Sequence, residues 1–181
     1  MTYTEERPSR DDGPAGAETV FTRRRSAESH QDNASHRESQ LFLSDDDLYY
    51  EACGAARDLT ETDLDWLEEH GVRGRQPYGW AELGAAHVQF HDTYYEPADD
   101  GPRAFITRVA DWAGTADLIA WLPSQPGAWT FRRGTVWALG RPDFDKAEFE
   151  KAKLYVYRTP LRWFAAPDDQ LKICILDWAT A

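Results

Sequence analysis

Cysteine is scarce in this chain: only Cys53 and Cys174 occur in 181 residues. Two thiols cannot build the multi-bridge framework that holds small secreted folds together. There is no CxxC and no HExxH, so the usual zinc-ribbon, dithiol and zincin signatures are missing. GxSxG, the P-loop and GxGxxG are also absent, which removes the sequence support for a serine hydrolase or for nucleotide binding by those devices. No stretch approaches the roughly 18 apolar residues that span a bilayer. The chain does not open on a basic region followed by an apolar run, as a secretory signal would. Together these features predict a cytoplasmic protein with both thiols reduced and no membrane partner.

Basic residues are in the minority, 20 against 32 acids, for a formal charge of −12. Such a total works against bulk attraction to phosphate or anionic lipid. The charge is uneven, however. From Asp45 to Glu69 there are ten acids and one base, Arg57, whereas from Arg132 to Arg162 eight bases face four acids. The chain is polarised along its length, and a local basic patch can still form.

Tryptophan is missing from the first part of the chain. All eight tryptophans lie between Trp66 and Trp178. Residues 1–40 mix charges of both signs with Ser, Gly, Pro and Asn, and Val20 and Phe21 are nearly their only strong apolar side chains. That segment has too little apolar surface to offset the entropy of ordering, which predicts a disordered polar tail. Arg23-Arg24-Arg25 within it is a short charge run flanked by Glu18 and Glu28. Residues 41–181 carry the aromatics and predict a single domain. Each buried aromatic removes roughly 150–250 Å² from water, so packing is the first role for the tryptophans.

Local signals in the body alternate between helix and strand. Ser44 before Asp45-Asp46-Asp47 offers an N-cap and first-turn acids, and Leu48, Ala52, Ala55 and Leu59 follow at helical spacing. Thr62 with Asp65 has the form of a capping box for a second acidic helix, which Gly71 would close. Period-two patterning then predicts strands within 86–96, 104–109, 117–122 and 128–132. Asp111 to Gly114 and the Pro123 to Gly127 stretch supply turns. A short polar helix is predicted over 144–153, a strand over 154–157, a helix over 161–165 opened by Thr159-Pro160, and an apolar strand over 172–176. The resulting expectation is an α+β fold with a mostly antiparallel sheet of four to six strands and a few short helices.

Candidate chemistry is sparse. His87 and His91 have the four-residue spacing of a helical metal pair, but on a strand they would sit about 13 Å apart at roughly 3.3 Å per residue. They read as polar residues on a wet face, and no metal is predicted. Asp45 to Asp47, Asp99-Asp100 and Asp168-Asp169 adjoin turns or helix starts, where aspartate caps. Nothing separates their pKa values as acid–base work would need. Cys53 and Cys174 lie among small or apolar neighbours that make a thiol inert. No catalytic residue and no cofactor is predicted. Bases and aromatics interleave only from Trp129 to Phe164, the combination that single-stranded nucleic acid binding needs. Within it Trp129, Arg132, Arg133, Trp137, Arg158 and Arg162 are the candidate binding residues.

The succession Phe105–Val109, Asp111–Gly114, Leu118–Trp121, then Trp129 to Gly134 (WTFRRG) leading to Gly140, resembles the region beside the catalytic part of phage- and plasmid-type primases. The whole body, with Thr159-Pro160-Leu161, Trp163 and 173–178, is similar to uncharacterised bacterial mobile-element proteins. A Toprim centre needs a glutamate after one strand and Asp-x-Asp after another. Here Asp177 is followed by Trp178 and Ala179, so the second aspartate is lacking. The resemblance therefore implies a non-catalytic accessory module. The expected function is a non-enzymatic interaction protein working through protein contacts. Two alternatives stand beside it: a nucleic-acid-binding module, and an acidic decoy whose 45–69 helices capture a DNA-binding protein.

Overall fold

The computed structural model describes residues 43–72 and 82–177. The tail read from residues 1–40, the Arg23-Arg24-Arg25 run and Trp178 lie outside the described residues. Helix α1 (Asp45–Arg57) starts at Ser44, whose hydroxyl accepts from Asp47 N–H while the Asp47 carboxylate accepts from Ser44 N–H. These reciprocal bonds satisfy two of the donors that a helix start leaves open, and they hold the Asp47 carboxyl below its ordinary value.

Helix α2 (Glu61–Glu69) corrects one expectation. Its capping box is Thr60 with Asp63, two residues earlier than Thr62 with Asp65. Both pairs have the right spacing. The choice falls to Asp63 because Arg103 reaches it from the sheet at 2.6 Å. The end of α2 follows expectation: Gly71 takes φ +87°, and Gly71 N–H and Val72 N–H return to the Glu68 and Leu67 carbonyls. Val72 is buried with Leu67, as the hydrophobic contact of such a cap requires.

Five antiparallel strands follow: β1 (Leu83–Phe90), β2 (Tyr95–Pro97), β3 (Arg103–Ala110), β4 (Thr115–Trp121) and β5 (Trp129–Phe131). Their spatial order is β2-β1-β3-β4-β5. The segment expected as one strand over 86–96 is a hairpin, bent after Phe90 and paired as Phe90 with Tyr95. A bridge from Tyr94 to Phe131 brings the two edges of the sheet together, so it curls towards closure.

Both faces of this sheet are covered. Ala104, Ile106, Leu118 and Ala120 face α1 through Leu48, Ala52 and Ala55. Phe105, Val109, Ile119 and Trp121 face the other way, into the larger core with Leu67, Leu139, Phe164 and Cys174. Central strands buried on two sides read as continuous apolar runs rather than clean alternation. Trp121 is fully buried, with its ring 4.7 Å from Phe105 and its Nε1 donating to Thr107 Oγ1 at 3.0 Å.

The last third builds a second layer. Here β6 (Ala138–Leu139), helix α3 (Arg141–Glu150), β7 (Tyr155–Tyr157), helix α4 (Pro160–Phe164) and β8 (Lys172–Ile175) follow in order. A three-stranded sheet, β6-β8-β7, pairs β8 antiparallel to β6 and parallel to β7. The helix expected over 144–153 begins earlier, because Gly140 at φ +83° turns the chain and Pro142 suits a first turn. A Cβ on Gly140 would meet the Lys172 carbonyl oxygen at 2.3 Å, so only glycine lets α3 start against β8. The fold is α+β, with the main sheet antiparallel. Among the described residues no helix is long and apolar enough to cross a membrane.

Candidate functional site

The segment from Trp129 to Trp137 is occupied by internal bonds. Asp117, fully buried on β4, receives the N–H groups of Arg133, Gly134 and Thr135 at 2.9, 2.7 and 2.9 Å. Successive backbone donors form a concavity suited to an anion. The anion held in this one is the chain's own aspartate. The turn then throws its two arginines back onto α1. Arg132 Nε donates to both Glu51 oxygens, the nearer at 2.9 Å, and its guanidinium lies 5.8 Å from the Tyr95 ring centroid. Arg133 donates to the Leu43 and Ala116 carbonyls and to Asp45 at 2.8, 2.7 and 2.8 Å.

The predicted binding residues therefore divide. Trp129 is half-buried in the larger core, on the far side of the sheet from α1, and donates to the Leu176 carbonyl. Trp137 is half-buried edge-on to Phe144. Arg158 and Arg162, beyond β7 and on α4, are exposed. The acids of 45–69 divide similarly: Asp45, Glu51 and Asp63 hold Arg133, Arg132 and Arg103, while Asp46, Asp65, Glu68 and Glu69 face solvent.

His87 and His91 are in different settings. His87 Nδ1 lies 2.8 Å from the Gly101 carbonyl, and His91 stacks on Tyr94 with Nε2 3.5 Å from Glu96. No group of three His, Cys, Asp or Glu side chains suited to a metal occurs among the described residues. Cys174 is buried in β8, and burial pushes its thiol up to about 12.

Two surface features not anticipated from composition lie around α3. The first is an aromatic pair. At the β3–β4 turn, the Asp111 carboxylate accepts from Ala113 and Gly114 N–H and holds Trp112 at the tip. Trp112 is 72% exposed, yet its Nε1 is fixed by Asp145 of α3 at 2.8 Å. Phe149, one turn after Asp145 on the same side of α3, is 88% exposed. The sequence signal was available: Phe144 and Ala147 fall on one side of a helix over 141–150, and Phe149 does not join them.

The second feature is a cleft of about 590 Å³ between the end of β3, the start of α3 and the segment from Trp163 to Lys172. Glu82, just before β1, lines it, and desolvation raises its carboxyl although Arg108 opposes the shift. Arg108 lines it too, and its Nε is buried without a hydrogen-bond partner among the described residues. Lys172, also nearly buried, donates Nζ to the Ala166 carbonyl at 3.2 Å and lies 4.8 Å from the Trp163 ring centroid. A perturbed carboxyl in a cleft with buried cations is a recurring property of binding sites. No family model matches the chain, and neither a curated protein nor a solved structure matches it.

Proposed function

We propose that the protein is a non-enzymatic accessory or interaction protein that works through protein contacts, with Trp112 and Phe149 at the centre of the contact. The observation that carries this reading is the exposure of both rings on one side of α3, with Trp112 held in place by Asp145. An aromatic anchor that is exposed yet positioned loses little freedom on binding, and tryptophan is enriched among residues that dominate interface energies. Carriage by a mobile element is part of the same proposal and rests on the likeness read from the sequence alone. The cytoplasmic setting rests on the two free thiols, Cys53 and Cys174.

The test compares proteins cross-linked to the wild-type chain and to a Trp112→Ala/Phe149→Ser double variant in the native host. A partner recovered with wild type and lost from the double variant supports the reading. Equal recovery from both overturns it.

The exposure of Arg158 and Arg162 keeps nucleic acid as the second reading. Arg132 and Arg133 are poor probes of it, because they hold α1 to the sheet. Replacing Arg158 and Arg162 by alanine should lower the salt dependence of any oligonucleotide binding. An unchanged slope removes this alternative. The acidic-decoy reading rests on Asp46, Asp65, Glu68 and Glu69, and requires capture that is lost when these four are neutralised.

A further inference from the structure

We infer that the cleft between β3, α3 and the Trp163–Lys172 segment binds a small dipolar ligand, one that carries an ammonium and a carboxylate on an apolar body, as free amino acids and dipeptides do. This inference is independent of the protein-contact reading, which rests on the aromatic side of α3. Charge balance is the first argument. Arg108, Lys146 and Lys172 line the cleft with Glu82, Asp143, Asp168 and Asp169. Four carboxyls repel a polyphosphate, three cations repel a polyamine, and a ligand with both signs satisfies each set.

Which of these groups are already engaged is the second argument. Asp143 accepts the Lys172 N–H at 3.0 Å, and Trp163 Nε1 donates to the Lys172 carbonyl at 3.2 Å. The Lys172 ammonium is held by the Ala166 carbonyl and lies 3.6 Å from Asp168. These bonds build the wall. By contrast, the Glu82 carboxyl and the Lys146 ammonium make no hydrogen bond or ion pair with one another or with any other described residue. A partly desolvated carboxyl to which no described residue donates, and whose burial outweighs the attraction of Arg108 and Lys172, is a costly arrangement that an incoming ammonium relieves. Lys146, one turn along α3 from Asp143 and Pro142, also lines the cleft and supplies a cation for a carboxylate.

Size and apolar lining give the third. A volume of about 590 Å³ lies in the range of small-molecule sites, and Leu139, Pro142 and Phe164 supply an apolar floor. The ligand body should accordingly be aliphatic or aromatic rather than a sugar.

The test uses calorimetric titration of the full chain with L-leucine, with isocaproate, which lacks the ammonium, and with isoamylamine, which lacks the carboxylate. Saturable leucine binding is expected, with each analogue at least tenfold weaker. Glu82→Gln should weaken leucine and isoamylamine and leave isocaproate unchanged, and Lys146→Ala should weaken leucine and isocaproate and leave isoamylamine unchanged. The inference is overturned if leucine, phenylalanine and leucyl-leucine all fail to saturate. It is equally overturned if the two analogues match leucine, if inorganic phosphate binds more tightly than leucine, or if neither folded variant changes binding. Should a variant fail to fold, the analogue series on the wild-type chain still decides the question.

Discussion

Arg132 and Glu51 are separated by 81 residues in sequence, and their side chains meet with Nε 2.9 Å from Oε2. Tyr95 donates its hydroxyl to the other Glu51 oxygen at 3.1 Å, so one carboxylate ties the β5 end and β2 to the middle of α1. Burial is the main cause of the strongly raised Tyr95 hydroxyl, and the Glu51 charge adds to it. A residue that composition offers as a phosphate contact is in this fold a structural brace.

Removing the brace should be expensive. Arg132→Ala leaves Glu51 facing a half-buried site without its cation; breaking a fully buried pair costs about 3–5 kcal/mol, and this one should approach the lower end. Arg132→Lys should recover only part of this, since an ammonium cannot reproduce the guanidinium fork. Urea denaturation of the two variants against wild type measures both. A loss under 1 kcal/mol, about what an exposed pair contributes, would show that the contact is not structural.

Asp117 should be comparably hard to replace. Asp117→Asn must set its amide NH2 against one of two donor pairs, Leu118 and Arg133 N–H at Oδ1 or Gly134 and Thr135 N–H at Oδ2. Charge-assisted bonds to a buried carboxylate contribute about 1.5–3 kcal/mol each, and at least one must be lost. The expected outcome is a loss of about 3 kcal/mol, with faster amide exchange at one of these two pairs. Unchanged exchange at all four amides would contradict the geometry.

Stability against pH should show two carboxyls acting in opposite directions. Burial alone would raise the Asp63 carboxyl, but the hydrogen bonds from Arg103 and Thr60, with the Arg103 charge, hold it below the ordinary aspartate value of 3.8. Its contribution is fully present above 3.8 and is lost as pH falls through the lower folded-state value. Asp63→Asn should therefore differ from wild type at neutral pH and converge with it in acid. Glu82 behaves oppositely: desolvation raises it above the ordinary 4.5, so the folded chain loses stability as pH rises from 4.5 through the folded-state value. Glu82→Gln should match wild type in acid and be more stable at neutral pH. Thermal melts across this range check both signs at once.

Gly84 sets how closely α1 lies on β1. A Cβ there would fall 2.3 Å from the Ala55 carbonyl carbon and 2.5 Å from the Ala56 nitrogen, both backbone atoms of the helix. Neither can turn aside, so Gly84→Ala must push α1 off the sheet. Overpacking of this kind costs about 1–3 kcal/mol or more. Gly54→Ala, where no atom lies within 4 Å of the added carbon, is the control and should be neutral or stabilising. Equal denaturation midpoints for the two variants would rule out the close approach.

Signals that act over three or four residues were legible before any coordinates. The Ser44 cap, the Gly71 stop, the Asp111 turn and the Thr159-Pro160 helix start each depend on neighbours within one turn. The apolar runs in β3, β4 and β8 were equally plain, because strands buried on both sides carry little else. Where two local solutions were equal, local chemistry could not choose. Thr60 with Asp63 and Thr62 with Asp65 have the same form, and Arg103, 40 residues away, decided between them.

The sequence by itself determined the α+β class, the acidic helices and the concentration of aromatics in the body, since each follows from composition and short-range spacing. Tertiary structure alone decided that Arg132 and Arg133 face α1, that Asp117 fills the turn beside them, and that β7 joins β8 in parallel. It also decided that Trp112 and Phe149 stay in water while Trp121 does not. The reason is physical: a charge or a ring looks the same in one dimension whether its partner is solvent or a side chain 80 residues away. Only the packed chain determines which of these it meets.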